Sequence, residues 1–89
     1  MDSQTKLTKL RTEIDAIDQE LLEVLAKRFA IVDQIGKLKK EMHVPPLDKN
    51  RWDQVIAARM NTGANLGMDK AFVKSIYDTI HAAALKLEA

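Results

Sequence analysis

The chain has 89 residues, 46% of them hydrophobic and 30% charged, a balance that suits one small globular domain over 1–89 rather than a disordered segment. Cysteine is absent, which excludes disulfides and thiolate metal sites; the net charge is only +1 and there is one Trp, one Tyr and two Phe, which argues against a nucleic-acid partner. Apolar runs are too short for a membrane span, and Met1-Asp2-Ser3-Gln4 does not begin a signal peptide, so the chain reads as cytoplasmic with no membrane partner.

Glycine and proline are scarce and clustered, at Pro45-Pro46 and at Gly63 and Gly67. No segment alternates with period two. The spacing predicts an all-α chain of three helices: a very long one over Ser3–Met42, and two shorter ones over Lys49–Asn61 and Lys70–Leu87. Asp48 and Asp69 stand at N-cap positions, and Gly63 stands where a C-terminal glycine belongs.

Leu7, Leu10, Ile14, Ile17, Leu21, Val24, Arg28, Ile31, Ile35, Leu38 and Met42 recur with 3-4 spacing along the first helix, a heptad seam. At ~1.5 Å per residue that helix is about 60 Å long, against a radius of gyration of roughly 12 Å for a compact chain of this length. Its seam overhangs any monomeric core, so a homodimer is expected. The second helix offers Trp52, Val55, Ile56 and Met60 for packing, and the third offers Phe72, Val73, Ile76, Tyr77, Ile80, Ala83, Ala84 and Leu87.

Arg28 breaks the seam where Leu or Ile belongs. An arginine there either snorkels to solvent from a buried stem or binds an anion. Arg28, Val32, Ile35 and Lys39 form one stripe, two cations about 16 Å apart flanking an apolar floor, suited to a small dianion with an apolar body. Gly36 beside this stripe is either a tolerated glycine or room for a ligand or another helix. Arg11 looks like a surface residue; it lies about 25 Å from Arg28 along the helix, so it can meet the same small ligand only from the partner of an antiparallel dimer. His43 and His81 are the only histidines, and neither they nor the acidic residues have metal-ligand spacing. Ser3 and Ser75 have no evident base. Lys37, Lys39 and Lys40 taken alone are a solvated basic turn.

The joint pattern of Leu10-Arg11, Ile14-Asp15, Ile17-Asp18, Leu21-Leu22, Val24-Leu25 and Arg28, then Ile35-Gly36 and Lys39, resembles the AroQ-type all-helical chorismate mutases. Similarity continues through Val44-Pro45, Asp48, Arg51, Gly67-Met68-Asp69 and Phe72-Val73, over nearly the whole chain. The resemblance implies an intertwined dimer with two shared sites and a Claisen rearrangement of chorismate to prephenate, in phenylalanine and tyrosine synthesis, without metal or cofactor. Arg28 and the partner's Arg11 would grip the substrate carboxylates, and Lys39 a carboxylate and the ether oxygen. Asp48 and Arg51 would form part of the wall and Ile35 the apolar floor.

Three positions depart from the common pattern. Trp52 stands where many members carry a glutamate that binds the ring hydroxyl, and is either a site residue or a core anchor. Ala84 replaces a small polar residue. Glu88 stands where a glutamine or glutamate meets the ether oxygen; it would have to be protonated to donate there, and the alternative is a frayed chain end. Two other functions fit the same pattern: an isochorismate-pyruvate lyase of this fold, and a non-catalytic helical dimerisation or regulatory module. Fusion to, or association with, another enzyme of aromatic biosynthesis is a further expectation.

Overall fold

The structure is a computed structural model, and it describes residues 2–89. Three helices follow one another, α1 over Ser3–Met42, α2 over Lys49–Asn65 and α3 over Lys70–Glu88, with no strand among the described residues. α1 has the limits that its periodicity predicts. The Thr5 backbone N–H donates to Asp2 Oδ1 at 2.8 Å, which satisfies one of the donors left free at a helix start. Asp48 and Asp69 cap α2 and α3 as expected, accepting from the backbone N–H groups of Arg51 and Phe72, each at 3.0 Å.

α2 runs one turn further than the sequence suggests, and Gly63 is not its terminal glycine. That role falls to Gly67, at φ +86°. The Met68 N–H bonds to the Gly63 carbonyl at 2.9 Å and the Gly67 N–H to the Ala64 carbonyl at 3.0 Å, the paired bonds of a Schellman turn. Gly63 sits inside the helix for another reason: a Cβ built there would lie 2.4 Å from Val73 Cγ2. Its missing side chain lets the Val73 side chain of α3 pack directly on the backbone of α2. α1 ends in the same type of turn, with Val44 N–H bonded to the Lys39 carbonyl and His43 N–H to that of Lys40. Here the left-handed position is held by His43, at φ +58°, where an L side chain is uncommon.

The chain divides into two compact units, one ending at Ile31 and the other spanning Val32–Ala89. The first unit is a single stretch of helix. Its seam residues are exposed, Ile14 by 57%, Ile17 by 60% and Val24 by 60%. The second unit holds the remainder of α1 with α2 and α3, and its enclosed apolar side chains are Val32, Val55, Val73 and Ala84. Burying a valine contributes about 2 kcal/mol, so this core is a small one. Surface pairs at i, i+4 spacing, Lys37 with Asp33, Lys49 with Asp53 and Lys74 with Asp78, add only tenths of a kcal/mol each. No helix among the described residues is long and apolar enough to cross a membrane.

Candidate active site

Lys39 is the centre of the arrangement in the Val32–Ala89 unit. It sits in the last turn of α1, half-buried, and its side chain reaches across the turn to donate to the Pro46 carbonyl. Its ammonium also meets Glu88 Oε1 at 2.6 Å. The contact is an ion pair and not a directed hydrogen bond, since no well-aligned donor reaches that oxygen. Glu88 is buried, 8% exposed, and lies within α3. The frayed chain end considered as an alternative does not occur.

Gly36 explains how the carboxylate arrives there. A Cβ at Gly36 would stand 2.9 Å from the Glu88 Cα and 3.2 Å from its Cγ. The glycine therefore makes room for a helix: the last turn of α3 packs against the backbone of α1, one turn before Lys39. Removing one member of a buried ion pair typically costs about 3–5 kcal/mol, because the other charge stays behind without a partner.

Ile35, Lys39 and Asp48 line one cleft of about 620 Å³, together with Leu38, Met42, Val44, Pro45 and Leu47. Its walls are apolar, with the ammonium and the N-terminus of α2 at its edges. Ile35, Lys39 and Asp48 are legible in the sequence as site residues, whereas the apolar walls come from the seam residues Leu38 and Met42 of α1 and from Val44, Pro45 and Leu47 of the α1–α2 connection. Asp48 is occupied in capping α2. Arg51 is exposed and its guanidinium is not part of this lining.

Trp52 is half-buried and turns onto α3, where its ring stacks on His81 with centroids 3.8 Å apart and planes 8° from parallel. It is neither isolated in a core nor in the cleft lining. Ala84, enclosed, lies on α3 one turn after His81 and one turn before Glu88. His81 did not stand out in the sequence beyond being one of two histidines. Stacking between positions so far apart in the chain leaves no local signal.

Arg11 and Arg28 belong to the first unit. Arg11 is exposed. Arg28 is half-buried, and its Nη1 is enclosed with no hydrogen-bond partner. An unsatisfied buried donor costs about 1–3 kcal/mol, more when charged, and an anionic acceptor relieves that cost. Among the described residues no group of His, Asp or Glu side chains is placed to hold a metal ion.

The model of the family described as chorismate mutase type II matches residues 10–89. Two 4-amino-4-deoxychorismate mutases are similar to the chain. That of Streptomyces pristinaespiralis is 37% identical over 92% of this chain and 64% of that protein; that of Streptomyces venezuelae is 30% identical over 99% and 85%. A bifunctional chorismate mutase/prephenate dehydratase of Aquifex aeolicus is 31% identical over 93% of this chain. The chain thus spans just under two thirds of the first of these relatives and 24% of the bifunctional one. Among solved structures, a chorismate mutase (Form II) of Thermus thermophilus superposes with a TM-score of 0.86 at 26% identity, covering 93% of both chains. With the motifs of all three helices inside the matched region, the chain belongs to the chorismate mutase type II family.

Proposed function

We propose that this protein catalyses the Claisen rearrangement of chorismate to prephenate, or the same rearrangement of 4-amino-4-deoxychorismate, the substrate class named for its two Streptomyces relatives. In the reaction one C–O bond of the enolpyruvyl ether breaks as one C–C bond forms, with no proton or electron entering or leaving. The protein's contribution is to hold the folded conformer and to stabilise negative charge on the ether oxygen. Arg28, with Arg11 of the partner subunit, binds the two carboxylates. Lys39 supplies positive charge at the ether oxygen. Ile35 supports the ring from below and Asp48 lines the same cleft, Arg51, Trp52 and Ala84 stand behind that lining on α2 and α3, and Glu88 holds Lys39 at the reacting end.

The observation that carries this reading is the buried Arg28 Nη1 without a protein acceptor, on a helix of this family. The exposed apolar seam of α1 supports an intertwined homodimer, and the bifunctional relative supports fusion to, or association with, another enzyme of aromatic biosynthesis. The test is turnover of both substrates by wild type and Arg28→Ala. Loss of a preorganised contact to developing charge lowers kcat/KM by roughly 10²–10³. Arg11→Ala should fail likewise, and subunit exchange between the two inactive variants should restore turnover. Arg28→Ala within twofold of wild type would sink the proposal.

A further inference from the structure

The α1–α2 connection meets Lys39 twice. The Lys39 carbonyl accepts from the Val44 N–H at 3.0 Å, and the Lys39 ammonium donates to the Pro46 carbonyl. The far end of the connection is fixed by Asp48, whose side chain accepts from the Arg51 N–H and caps α2. Pro45 lines the cleft, whereas Pro46 stays out of its lining and is half-buried in an otherwise exposed run from His43 to Asp48. The two prolines differ in role: one is wall, and the other holds the ammonium.

A lysine is a compact charge on a flexible four-carbon stem, with three donors that rotate freely. Opposite charge alone does not aim it. Glu88 meets Nζ at 2.6 Å as an ion pair without a directed hydrogen bond. Direction comes from the Pro46 carbonyl. That carbonyl sits on stiff backbone, because the pyrrolidine ring fixes φ at about −65° and each proline confines the residue before it, Val44 and Pro45, to extended conformations. Held by a carboxylate from α3 and a carbonyl from the connection, the ammonium keeps its third N–H for the cleft that Lys39 lines.

We propose that Pro46 is a positioning residue for the rearrangement: its backbone carbonyl aims the Lys39 ammonium at the ether oxygen, and the Pro45-Pro46 sequence holds that carbonyl still. The inference rests on the mutase reading above. The ether oxygen gains negative charge only as the C–O bond breaks, so a donor fixed in advance acts on the transition state more than on bound substrate. Arg28 and Arg11 carry the carboxylates in both. Loosening Lys39 therefore lowers kcat and leaves KM nearly unchanged.

The test weakens the carbonyl without touching a side chain. The full 89-residue chain is made by chemical synthesis, once with every amide and once with the hydroxy-acid analogue of leucine at Leu47, which turns the Pro46–Leu47 linkage into an ester. An ester carbonyl is the weaker acceptor, and the Leu47 N–H that it removes makes no backbone hydrogen bond among the described residues. On the better of the two substrates, the ester chain should show kcat about tenfold lower, a fraction of the roughly 10²–10³ that follows loss of such a donor outright, with KM within about twofold. In a Lys39→Ala background the ester should change nothing further. A merely structural linkage would lower turnover by the same factor with or without Lys39. Pro46→Gly, which keeps the carbonyl but frees it to swing, should behave like the ester, and Pro46→Ala should fall between. Should the ester chain fail to fold, the two Pro46 variants, each also combined with Lys39→Ala, decide. Equal kcat for ester and amide chains, or the same loss in the Lys39→Ala background, overturns positioning by Pro46 and leaves the mutase reading standing. An all-amide chain that turns over neither chorismate nor 4-amino-4-deoxychorismate overturns both readings.

Discussion

Up to Ile31 the chain presents Ile14, Ile17, Leu21 and Val24 more than half exposed, each on a regular 3-4 spacing, whereas from Val32 onward Val32, Val55, Val73 and Ala84 are enclosed and two glycines stand at helix contacts. The contrast is between two uses of an apolar helix face. In the second unit the decisive residues are small: Gly63 against Val73 and Gly36 against Glu88 bring helices together at distances that no side chain on the glycine would permit. In the first, large apolar residues keep a strict repeat and stay more than half exposed. Such a repeat is uneconomical on a surface helix, and it is what a second copy of the same helix would bury.

The sharpest way to break this contrast is to charge the seam. If the residues were truly solvated, Ile17→Asp with Val24→Asp would shift stability by less than about 1 kcal/mol in total. If a partner chain covers them, each loses about 1.5–3 kcal/mol of burial and places a carboxylate in an apolar contact, which together approach the whole stability of a small domain. The expected outcome is loss of cooperative melting and of the dimer in sedimentation. An unchanged melting temperature would show that the seam is free.

The second unit is tested by filling its contacts. Gly63→Ala should destabilise by about 2 kcal/mol in thermal or urea unfolding, because overlap with Val73 outweighs the gain in helix propensity of about 1 kcal/mol. Adding Val73→Ala to it should recover part of the loss, and a strictly additive double variant would refute direct contact between the two positions.

Gly36→Ala should act more mildly on stability, by about 1 kcal/mol, since the propensity gain offsets more of a less severe overlap. Its larger effect should be on turnover, because the new methyl group moves the Glu88 backbone and with it the Lys39 contact. A variant with full activity would remove Gly36 from the support of the site.

The smallest effect concerns the start of α1. The Thr5 backbone N–H, and then its side chain, hold the Asp2 carboxyl below the ordinary value of 3.8. A lowered folded-state pKa means that the cap's contribution is present above that ordinary value and fades as pH falls through the lower one. Amide-exchange protection at Thr5 should therefore decline in acid, and Asp2→Asn should flatten that decline. Identical profiles would exclude the cap.

The limits of α1, the capping roles of Asp48 and Asp69, the three-helix order and the heptad seam were determined by the sequence alone. Each depends on residues three or four positions apart, and local spacing expresses them directly. So was the family resemblance, carried by Arg11, Arg28, Lys39, Asp48 and Arg51 in their joint spacing. Tertiary structure decided that Gly63 lies within α2 while Gly67 ends it, that Gly36 admits the end of α3, that Glu88 is buried against Lys39, and that Trp52 stacks on His81. These contacts join residues on different helices, and short-range steric and hydrogen-bonding preferences do not encode them. A glycine that stops a helix and one that lets two helices touch look the same in one dimension. They differ only in what lies in front of the missing side chain.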